Sequence, residues 1–489
     1  MYYRQRSKSS LDDSIEGPSG FNSLYVWSLV AIANLGMICY GYSLAVLNSL
    51  SFYLPDYVFQ WSKEDIPFYQ GLSNSLLAAG AAAGSVLAGS ASKSLGRKTM
   101  MVYADLIALV GVLLTWVAIT NVFFIGRTCV GFAIGINCVV VPLYVSEMAP
   151  RSMQGSAGSF IQLMIALSII LSLALGFGIS NDQQNQWWRV MLGIPLITIF
   201  LRLFFFIIVF KYETPRYYVS QEKHNYATKV LKRIYKGYDA DVQLMSLRSQ
   251  REMELSKGSI KYKELLGKQW RWRFAIGCYV AFLQQMTGFN GLLLYSSKIF
   301  YDEIGDEQKS LASTLVMMTC QLVGTFLSGF LMKKTGRKVI LIAGCVLLAG
   351  CWITFWSLKF VGVTTDLTYP IYAFSFLYGL TIGPISWVFI MEVIPANGVG
   401  LALLVNWIGG FLIAQCFPLL ISYFPRYGYL LFPGFLLFSI IICSIYVKET
   451  KNVSEEEIAE LYQRDSDLNR LKKLSDVLPS RRNLLHDSF

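Results

Sequence analysis

An apolar stretch in the second half of the chain, FLQQMTGFNGLLLYSSKIFY at 282–301, contains residues that could bind a polar ligand. It carries three amides and two glycines: Gln284, Gln285, Asn290, Gly288 and Gly291. An amide that faces lipid without a partner is costly, because hydrocarbon offers no hydrogen bonds. These residues therefore suit a broken membrane helix that lines a cavity, where amides and unwound backbone meet a ligand rich in hydroxyl groups. In the alternative interpretation the amides only join neighbouring helices, which is common in membrane bundles.

The composition of the 489-residue chain is that of a protein that crosses a membrane many times. Hydrophobic residues make up 54% of it and charged residues only 15%, and its mean hydropathy is +0.47. Apolar segments of about 20 residues recur, and each is long enough to span a bilayer as a helix. The net charge of +11 does not indicate nucleic-acid binding, because the basic residues fall between the apolar segments. We expect the partners to be a small molecule and the lipid bilayer, with no nucleic acid.

Twelve membrane spans are predicted, at 24–48, 67–92, 99–120, 122–146, 155–180, 188–210, 272–301, 309–333, 338–360, 367–393, 399–422 and 427–447. The central connection at 211–271 holds 14 Lys and Arg against 7 Asp and Glu, whereas 181–187 has no basic residue. Loops rich in Lys and Arg stay on the cytoplasmic side. We therefore expect a multi-pass protein of the plasma membrane with both termini and the central connection in the cytoplasm.

The predicted organisation has five parts. These are a cytoplasmic N-terminal segment at 1–23, a six-helix half at 24–210, a cytoplasmic central connection with short helices at 211–271, a second six-helix half at 272–447, and a cytoplasmic tail at 448–489.

The two halves repeat the same motifs at nearly one offset. Gly96-Arg97-Lys98 recurs as Gly336-Arg337-Lys338, Glu147-x-x-Pro150 recurs as Glu392-x-x-Pro395, and Glu213-Thr214 recurs as Glu449-Thr450. Parallel halves around a site near the middle of the membrane are typical of an alternating-access transporter. The sequence thus favours an all-α membrane protein of twelve helices in two six-helix halves related by a parallel repeat.

An enzyme or a metal protein is not indicated. All nine cysteines lie in apolar segments without metal-ligand spacing, and His224 and His486 are the only histidines. A histidine metal site or a Ser-His-Asp arrangement therefore has no basis in this chain. We expect no cofactor and no metal.

The amide stretch and the repeats occur together with further motifs in a familiar order: Gly126-Arg127, Pro142-x-Tyr144-x-x-Glu147, Glu213-Thr214-Pro215-Arg216, Gly383-Pro384-x-x-Trp387, Asn406-Trp407 and Glu449-Thr450-Lys451. From span 1 to Glu449 the chain resembles the sugar porter family of the major facilitator superfamily, specifically its facilitative hexose carriers, including those of unicellular parasites. The resemblance implies a major facilitator fold that moves D-glucose or a similar hexose, with fructose an open possibility. One chain would suffice for this activity, and the sequence leaves the oligomeric state open.

The resemblance also implies which residues bind the sugar: Gln162, Gln284, Gln285, Asn290, Gln321, Trp387, Asn406 and Trp407. Amides both donate and accept hydrogen bonds, as sugar hydroxyls do, and indole rings offer an apolar face to the pyranose. For Gln162 and Trp407, an interhelical bond and simple aromatic packing are the respective alternatives.

Charged residues near the cytoplasmic span ends predict an inner gate made of Arg97, Glu147, Arg216, Arg337 and Glu392. Opposite charges there can pair in one conformation and separate in another. Alternatively, the basic residues are ordinary anchors of the cytoplasmic side. By resemblance, Tyr295 belongs to the outer gate.

Some positions depart from the family pattern: Gln321, Gly379, Leu294, Gln154 and Val399. Ser43 follows Gly41-Tyr42 where proton-coupled sugar porters carry an aspartate, so we expect passive transport. A proton-coupled sugar symporter is the main alternative, and Asp105 would serve it if that side chain faced a cavity rather than a polar partner. Arg202 in span 6 has no evident partner and is expected to extend to the membrane interface. A third possibility, a transporter-like sugar sensor, is disfavoured by the short tail.

Overall fold

The structure is a computed structural model that describes residues 20–179, 185–236, 239–257, 262–265, 267, 270–362, 367–453, 457, 458 and 460–462. The predicted N-terminal segment up to residue 19 and the tail from residue 463 lie outside the described residues. In the described part, eleven helices are long and apolar enough to cross a membrane without interruption. The predicted seventh span is present as two consecutive helices. The predicted all-α membrane class with twelve spans is confirmed.

The first half contains spans 1 to 6. Their helices are Ser23–Ser49, Ile66–Leu95, Arg97–Thr115, Thr120–Met148, Arg151–Leu175, and for span 6 Trp187–Gly193, Pro195–Phe204 and Phe205–Val209. The second half contains spans 7 to 12. Their helices are Arg271–Met286 with Phe289–Ile304, Glu307–Lys334, Arg337–Val361, Thr368–Leu380 with Ile382–Val393, Ala396–Tyr423 and Leu431–Tyr446. Helices satisfy their own backbone groups, as a lipid environment requires.

The bundle has two faces at the ends of its spans. The basic face is the one at which Lys93, Arg97, Lys98, Arg337 and Lys338 lie, next to the central connection. The opposite face is the one at which span 1 ends at Ser49 and span 2 begins at Ile66.

Span 7 is broken within the predicted stretch, 282–301. Gly288 has a φ of 87°, in the left-handed region that glycine adopts without a steric cost. The break leaves the carbonyl of Thr287 outside the helical hydrogen-bond pattern, and the indole Nε1 of Trp352 in span 9 donates to it at 2.8 Å. The unwound backbone is thus held in place by a buried side chain of the same half.

Span 10 is also interrupted, which the sequence analysis did not predict. Its two helices meet at Thr381, where φ is −120° and ψ is −96°. The second helix begins with Ile382-Gly383-Pro384, so the proline falls in its first turn, where a missing N–H is tolerated. In the first turn of this second helix, the carbonyl of Gly383 accepts a hydrogen bond from a side chain of span 7.

Small residues let the spans approach closely. A side chain added at Gly84 of span 2 would place its Cβ 2.0 Å from the carbonyl oxygen of Phe132 in span 4. Close approach through small residues is how membrane helices gain van der Waals contact, because lipid offers no hydrophobic driving force. Spans 2 and 4 are therefore held as one body in the first half.

The central connection forms short helices at Pro215–Ser220, His224–Ile234, Asp239–Lys257 and Tyr262–Leu265. The second of these buries Ala227, Val230 and Ile234. Phe21 pairs with Tyr235 in an isolated antiparallel bridge, and the N–H of Asn22 donates to the carbonyl of Ile234 at 2.8 Å. The segment that precedes span 1 therefore holds this helix against the first half.

Candidate functional site

Four amides from two spans form one hydrogen-bonded group, here called the amide cluster: Gln284, Gln285, Asn290 and Asn406. Nε2 of Gln285 donates to Oδ1 of Asn406 at 3.0 Å, and Nδ2 of Asn406 donates to Oε1 of Gln284 at 2.8 Å. Asn290, beyond the break, donates to Oε1 of Gln285. The break at Gly288 is what brings Asn290 back onto the glutamine of the preceding helix.

The amide cluster also reaches span 10. Nε2 of Gln284 donates to the carbonyl of Gly383 at 2.9 Å, at the start of the second helix of that span. Gln284 and Gln285 are each 6% exposed, so their amides lie inside the protein and not against lipid. Each amide has both a donor and an acceptor, and so does a hydroxyl group. A sugar hydroxyl can therefore insert between two amides and bond the donor of one and the acceptor of the other.

Trp407 lies at the boundary between the halves. It belongs to span 11, yet it packs against the core of the first half, and its ring centroid is 6.1 Å from that of Tyr40 in span 1. The indole is 8% exposed, and its Nε1 has no hydrogen-bond partner within the described part of the chain. A buried donor without a partner is costly, so this atom is suited to donate to a ligand.

Tyr40 is a residue that the sequence analysis missed. Its position directly before Gly41-Tyr42 was a usable signal, because it places an aromatic ring one residue from a segment already singled out. Trp387, by contrast, was predicted, and it is half-buried in the second helix of span 10, four residues after Gly383.

Gln162 is exposed near the middle of span 5. It shares one helical face with Gly155 and Ser159, at the spacing of i, i+4 and i+7. That face is polar, and the space beside Gly155 is open within 4 Å. Gln162 therefore lies on an exposed polar face of span 5 and is not in hydrogen-bond contact with the amide cluster within the described residues.

Gln321 is not part of the amide cluster. Its Nε2 donates to Oγ1 of Thr325 in the same helix at 3.2 Å. Its backbone carbonyl instead contacts span 10, since a Cβ at Gly379 would lie 2.3 Å from that oxygen. The two departures from the family pattern, Gln321 and Gly379, are therefore in contact with each other.

The two halves are joined at the opposite face by polar contacts, here called the opposite-face seal. Nδ2 of Asn48 in span 1 donates to the carbonyl of Leu293 at 2.7 Å, and its Oδ1 accepts the N–H of Ser297 at 3.1 Å. Tyr295 donates to the carbonyl of Ala414 at 2.6 Å and accepts from Nδ2 of Asn74 at 3.2 Å. The bundle is thus closed at the opposite face.

Two ion pairs lie at the basic face, one in each half. Arg97 contacts Glu147 at 2.8 Å, and Arg337 contacts Glu392 at 2.8 Å. In each half a threonine hydroxyl also donates to the glutamate of the ion pair. Thr214, after span 6, donates to Glu147, and Thr450, after span 12, donates to Glu392 at 2.6 Å. Arg216 is exposed in the first short helix of the central connection.

A second pair of glutamates, one in each half, completes these two networks. The sequence analysis named them in the repeat but did not predict a role for them. Glu213 accepts the N–H groups of Lys98 and Thr99 at 3.0 and 2.7 Å, and Glu449 accepts those of Arg337 and Lys338 at 2.8 and 3.2 Å. The carboxylates therefore cap the first turns of spans 3 and 9, where N–H groups lack helical partners. The repeat of Glu-Thr in the sequence was the signal that could have found them.

Arg202 does not extend to the membrane interface, and that expectation was wrong. It is fully buried, and its Nε donates to Oδ2 of Asp105 in span 3 at 2.8 Å. Its Nη2 also bonds Oδ1 of Asp105, and its Nη1 donates to the carbonyl of Ala33 in span 1 at 3.3 Å. The cation is held inside the first half because a charge in hydrocarbon requires a partner. Asp105 likewise has a polar partner and is 2% exposed.

Arg127 is a second buried cation, and backbone carbonyls accept its hydrogen bonds. Nη1 donates to Ser43 at 2.9 Å, and Nε donates to Ser73 at 3.1 Å. Nη2 has no partner among the described residues. Ser43 occupies the position at which proton-coupled sugar porters were expected to carry an aspartate. Arg127 thus contacts the backbone of that position and not an acidic side chain.

Comparison with known proteins gives a consistent picture. A family model described as "Sugar (and other) transporter" matches residues 29–462. The chain is 28% identical over 88% of its length to Hexose transporter 1 of Toxoplasma gondii, covering 81% of that protein. It is 29% identical over 90% of its length to Plastidic glucose transporter 4 of Arabidopsis thaliana, covering 81% of that protein.

Among solved structures, the chain is similar to the inward-open xylose transporter XylE from E. coli. The TM-score is 0.76 at 20% identity, covering 89% of this chain and 100% of that one. It is also similar to XylE described as a proton:xylose symporter of the major facilitator superfamily bound to 6-bromo-6-deoxy-D-glucose, with a TM-score of 0.75, 20% identity and coverage of 90% and 100%. The predicted major facilitator fold is confirmed.

Proposed function

The chain belongs to the sugar transporter family, and from that premise we propose that it carries glucose-like hexoses across a membrane by alternating access, without ion coupling. It is a transporter and not an enzyme. The observation that carries the proposal is the amide cluster at the break of span 7, which gathers hydroxyl-matching groups beside the boundary between the halves. Relatives named as hexose and glucose transporters support the choice of hexose over other sugars.

We assign the sugar contacts to the residues expected from the sequence: Gln162, Gln284, Gln285, Asn290, Gln321, Trp387, Asn406 and Trp407. The hydrogen-bond geometry supports the amide cluster and Trp407 most directly, because their polar atoms lie together or lack a partner. Gln321 contributes through its contact with Gly379, which shapes the wall formed by spans 8 and 10.

Alternating access would proceed by closing one face and opening the other. The opposite-face seal supports a state in which the sugar leaves towards the basic face. The five charged residues Arg97, Glu147, Arg216, Arg337 and Glu392 form the proposed gate at the basic face, and Tyr295 belongs to the proposed gate at the opposite face. Because both ion pairs lie within one half each, at 2.8 Å, the gate would close through contacts between the two networks and not through these pairs alone.

Passive transport is supported by the surroundings of the two buried cations. Coupling to protons needs a titrating group whose protonation favours one conformation over the other. Arg127 contacts carbonyls and Ser43 carries no acid, while Asp105 is bonded to Arg202 inside the first half. A proton-coupled sugar symporter is the alternative, and the similarity to XylE, a proton:xylose symporter, is the observation that favours it.

The proposed location is the plasma membrane, with the basic face and both termini in the cytoplasm. The lipid bilayer is then the surrounding partner of the exposed apolar side chains, such as Phe200, Phe330 and Ile441. One chain contains both halves and the amide cluster, so a monomer is sufficient for transport.

The test is the uptake of a non-metabolised glucose analogue by the purified protein in lipid vesicles. We expect entry that D-glucose inhibits and L-glucose does not, and a final inside-to-outside ratio of one. That ratio should remain one when an inward proton gradient is imposed. A ratio well above one under the inward proton gradient would establish symport, and absence of stereospecific uptake would contradict hexose transport itself.

A further inference from the structure

Gln415 in span 11 contacts span 2 across the boundary between the halves. Oγ of Ser75 donates to Oε1 of Gln415 at 2.9 Å, and Nε2 of Gln415 donates to the carbonyl of Phe68 at 3.4 Å. Ser75 is fully buried and Gln415 is half-buried. One side chain of the second half therefore bonds to two residues of the first half, near the opposite face.

Span 2 is shaped to receive this side chain. Phe68, Gly71 and Ser75 share one face of the helix, at the spacing of i, i+3 and i+7. A Cβ at Gly71 would lie 2.9 Å from the carbonyl oxygen of Gln415 and 3.0 Å from its Nε2. Any larger residue at Gly71 would therefore push the two helices apart at the point where the glutamine crosses.

This contact differs from the rest of the opposite-face seal in the helices that it joins. Tyr295 and the partners of Asn48 lie in the second helix of span 7, which follows the break at Gly288. That helix is therefore separated from the first helix of span 7 by the break. Spans 2 and 11 are continuous through Ser75 and Gln415, so their contact is made between the bodies of the halves.

We propose that Gln415 is a positioning residue that holds the opposite face closed and so sets the ratio between the two open states. The inference rests on the proposed alternating access and names a residue that regulates it. Opening the opposite face separates spans 2 and 11, and water then replaces both hydrogen bonds. The two hydrogen bonds of Gln415 therefore stabilise only the state that is closed at the opposite face. A substitution that removes them destabilises that state alone and so shifts the ratio between the two open states.

The expected shift in the ratio of the two open states follows from the net free energy of a hydrogen bond that forms in one state only. Removing it should shift the ratio of the two states by roughly fivefold towards opening at the opposite face. Gln415→Leu removes both bonds, and Ser75→Ala removes only the stronger one. Because the two substitutions break a shared contact, their combination should shift the ratio less than the product of the single effects.

The experiment is hydrogen–deuterium exchange of the purified full-length protein in lipid nanodiscs, without sugar. We expect Gln415→Leu and Ser75→Ala to speed exchange at 66–80 and 408–423 and to slow it at 151–162, at the basic-face end of span 5. Ser439→Ala is the matched control, since Ser439 accepts from Tyr279 at 2.7 Å within the second half and both partners move together. In this control, exchange at 66–80 and 408–423 should not become faster while exchange at 151–162 becomes slower.

Unchanged exchange in both variants would overturn the proposal, and so would faster exchange at both faces, which is general loosening. If Gln415→Leu does not fold, Ser75→Ala alone decides. Since no sugar is used, the result is separate from the proposed substrate. A shift in a protein that carries no hexose would leave the positioning role standing and remove the hexose assignment, whereas hexose transport without a shift would remove only the role of Gln415.

Discussion

Arg202 of span 6 and Asp105 of span 3 form an ion pair inside the first half, with side chains that are 1% and 3% exposed. The guanidinium bonds both carboxylate oxygens, and its remaining amino group contacts the carbonyl of Ala33. One side chain thus ties spans 1, 3 and 6 together. The pair is a structural clamp that leaves Asp105 without an open path to either face.

Breaking this pair should destabilise the protein strongly. Asp105→Asn or Arg202→Met leaves the other charge buried and unpaired, which costs about 3–5 kcal/mol. Asp105→Leu combined with Arg202→Met should recover most of that loss, because no charge then remains. Thermal unfolding of the purified variants measures this. Equal melting temperatures for the wild type and Asp105→Asn would show that the pair is not a clamp.

Gln284→Ala should weaken hexose binding far more than Gln321→Ala. Gln284 belongs to the amide cluster, whereas the side chain of Gln321 bonds Thr325 of its own helix. Loss of a buried amide that pairs with a hydroxyl costs about 1–3 kcal/mol, or roughly 5- to 150-fold in affinity. Titration of glucose against both purified variants decides between them. Equal or reversed effects would move the site away from span 7.

Trp407→Phe should weaken hexose binding and lower the melting temperature less than Trp352→Phe does. The Nε1 of Trp407 has no partner in the described part of the protein, so its removal costs the folded state no hydrogen bond. We expect about 1 kcal/mol weaker binding if a sugar hydroxyl accepts from it. Trp352→Phe is the matched control, because its Nε1 bonds the carbonyl of Thr287 and its loss should lower the melting temperature. An unaltered affinity for Trp407→Phe would refute the donor role.

Gly379→Ala should damage both stability and transport. The added Cβ would lie 2.3 Å from the carbonyl oxygen of Gln321, and neither backbone can yield without moving a span. Overpacking of this kind costs about 1–3 kcal/mol. Gly350→Ala in span 9 of the same half is the control, because open space surrounds that position. Melting temperatures and uptake rates of the two variants should diverge, and identical behaviour would speak against the close contact of spans 8 and 10.

Glu213→Gln and Glu449→Gln should lower stability by similar amounts. Each carboxylate accepts two backbone N–H groups at the start of a span, and a neutral amide oxygen accepts them less strongly. The expected loss is about 1 kcal/mol for either variant. Chemical unfolding of both measures it. A large effect in one half with none in the other would contradict the equivalence of the two networks.

The sequence predicted the twelve spans, a break in span 7 and the repeat, because these depend on local composition and on motifs that recur at a fixed offset. It did not predict the pairing of Asp105 with Arg202, which lie 97 residues apart. Membrane helices are apolar on every side, so their sequences do not reveal which face meets which neighbour. The same reason explains why Gln415 was overlooked, whereas the amides of span 7 were conspicuous through their clustering.

The placement of Gln321 shows a second limit. Its residue type and its span were consistent with the candidate site, yet its side chain bonds within its own helix. Rotation of a helix about its axis decides this, and packing against Gly379 sets that rotation. Such packing depends on the neighbour's shape, which a single sequence does not provide.

The two basic-face networks also bear on how the chain is made. Arg97, Glu147, Glu213 and Thr214 all lie in the part of the chain that the ribosome releases first. Their contacts can form while the second half is still being synthesised, in keeping with domains that fold as units from the N-terminus. The corresponding network of the second half forms later from its own residues. The contacts between the halves, such as those of the opposite-face seal, must await the second half, so assembly ends at the boundary that the proposed transport cycle opens.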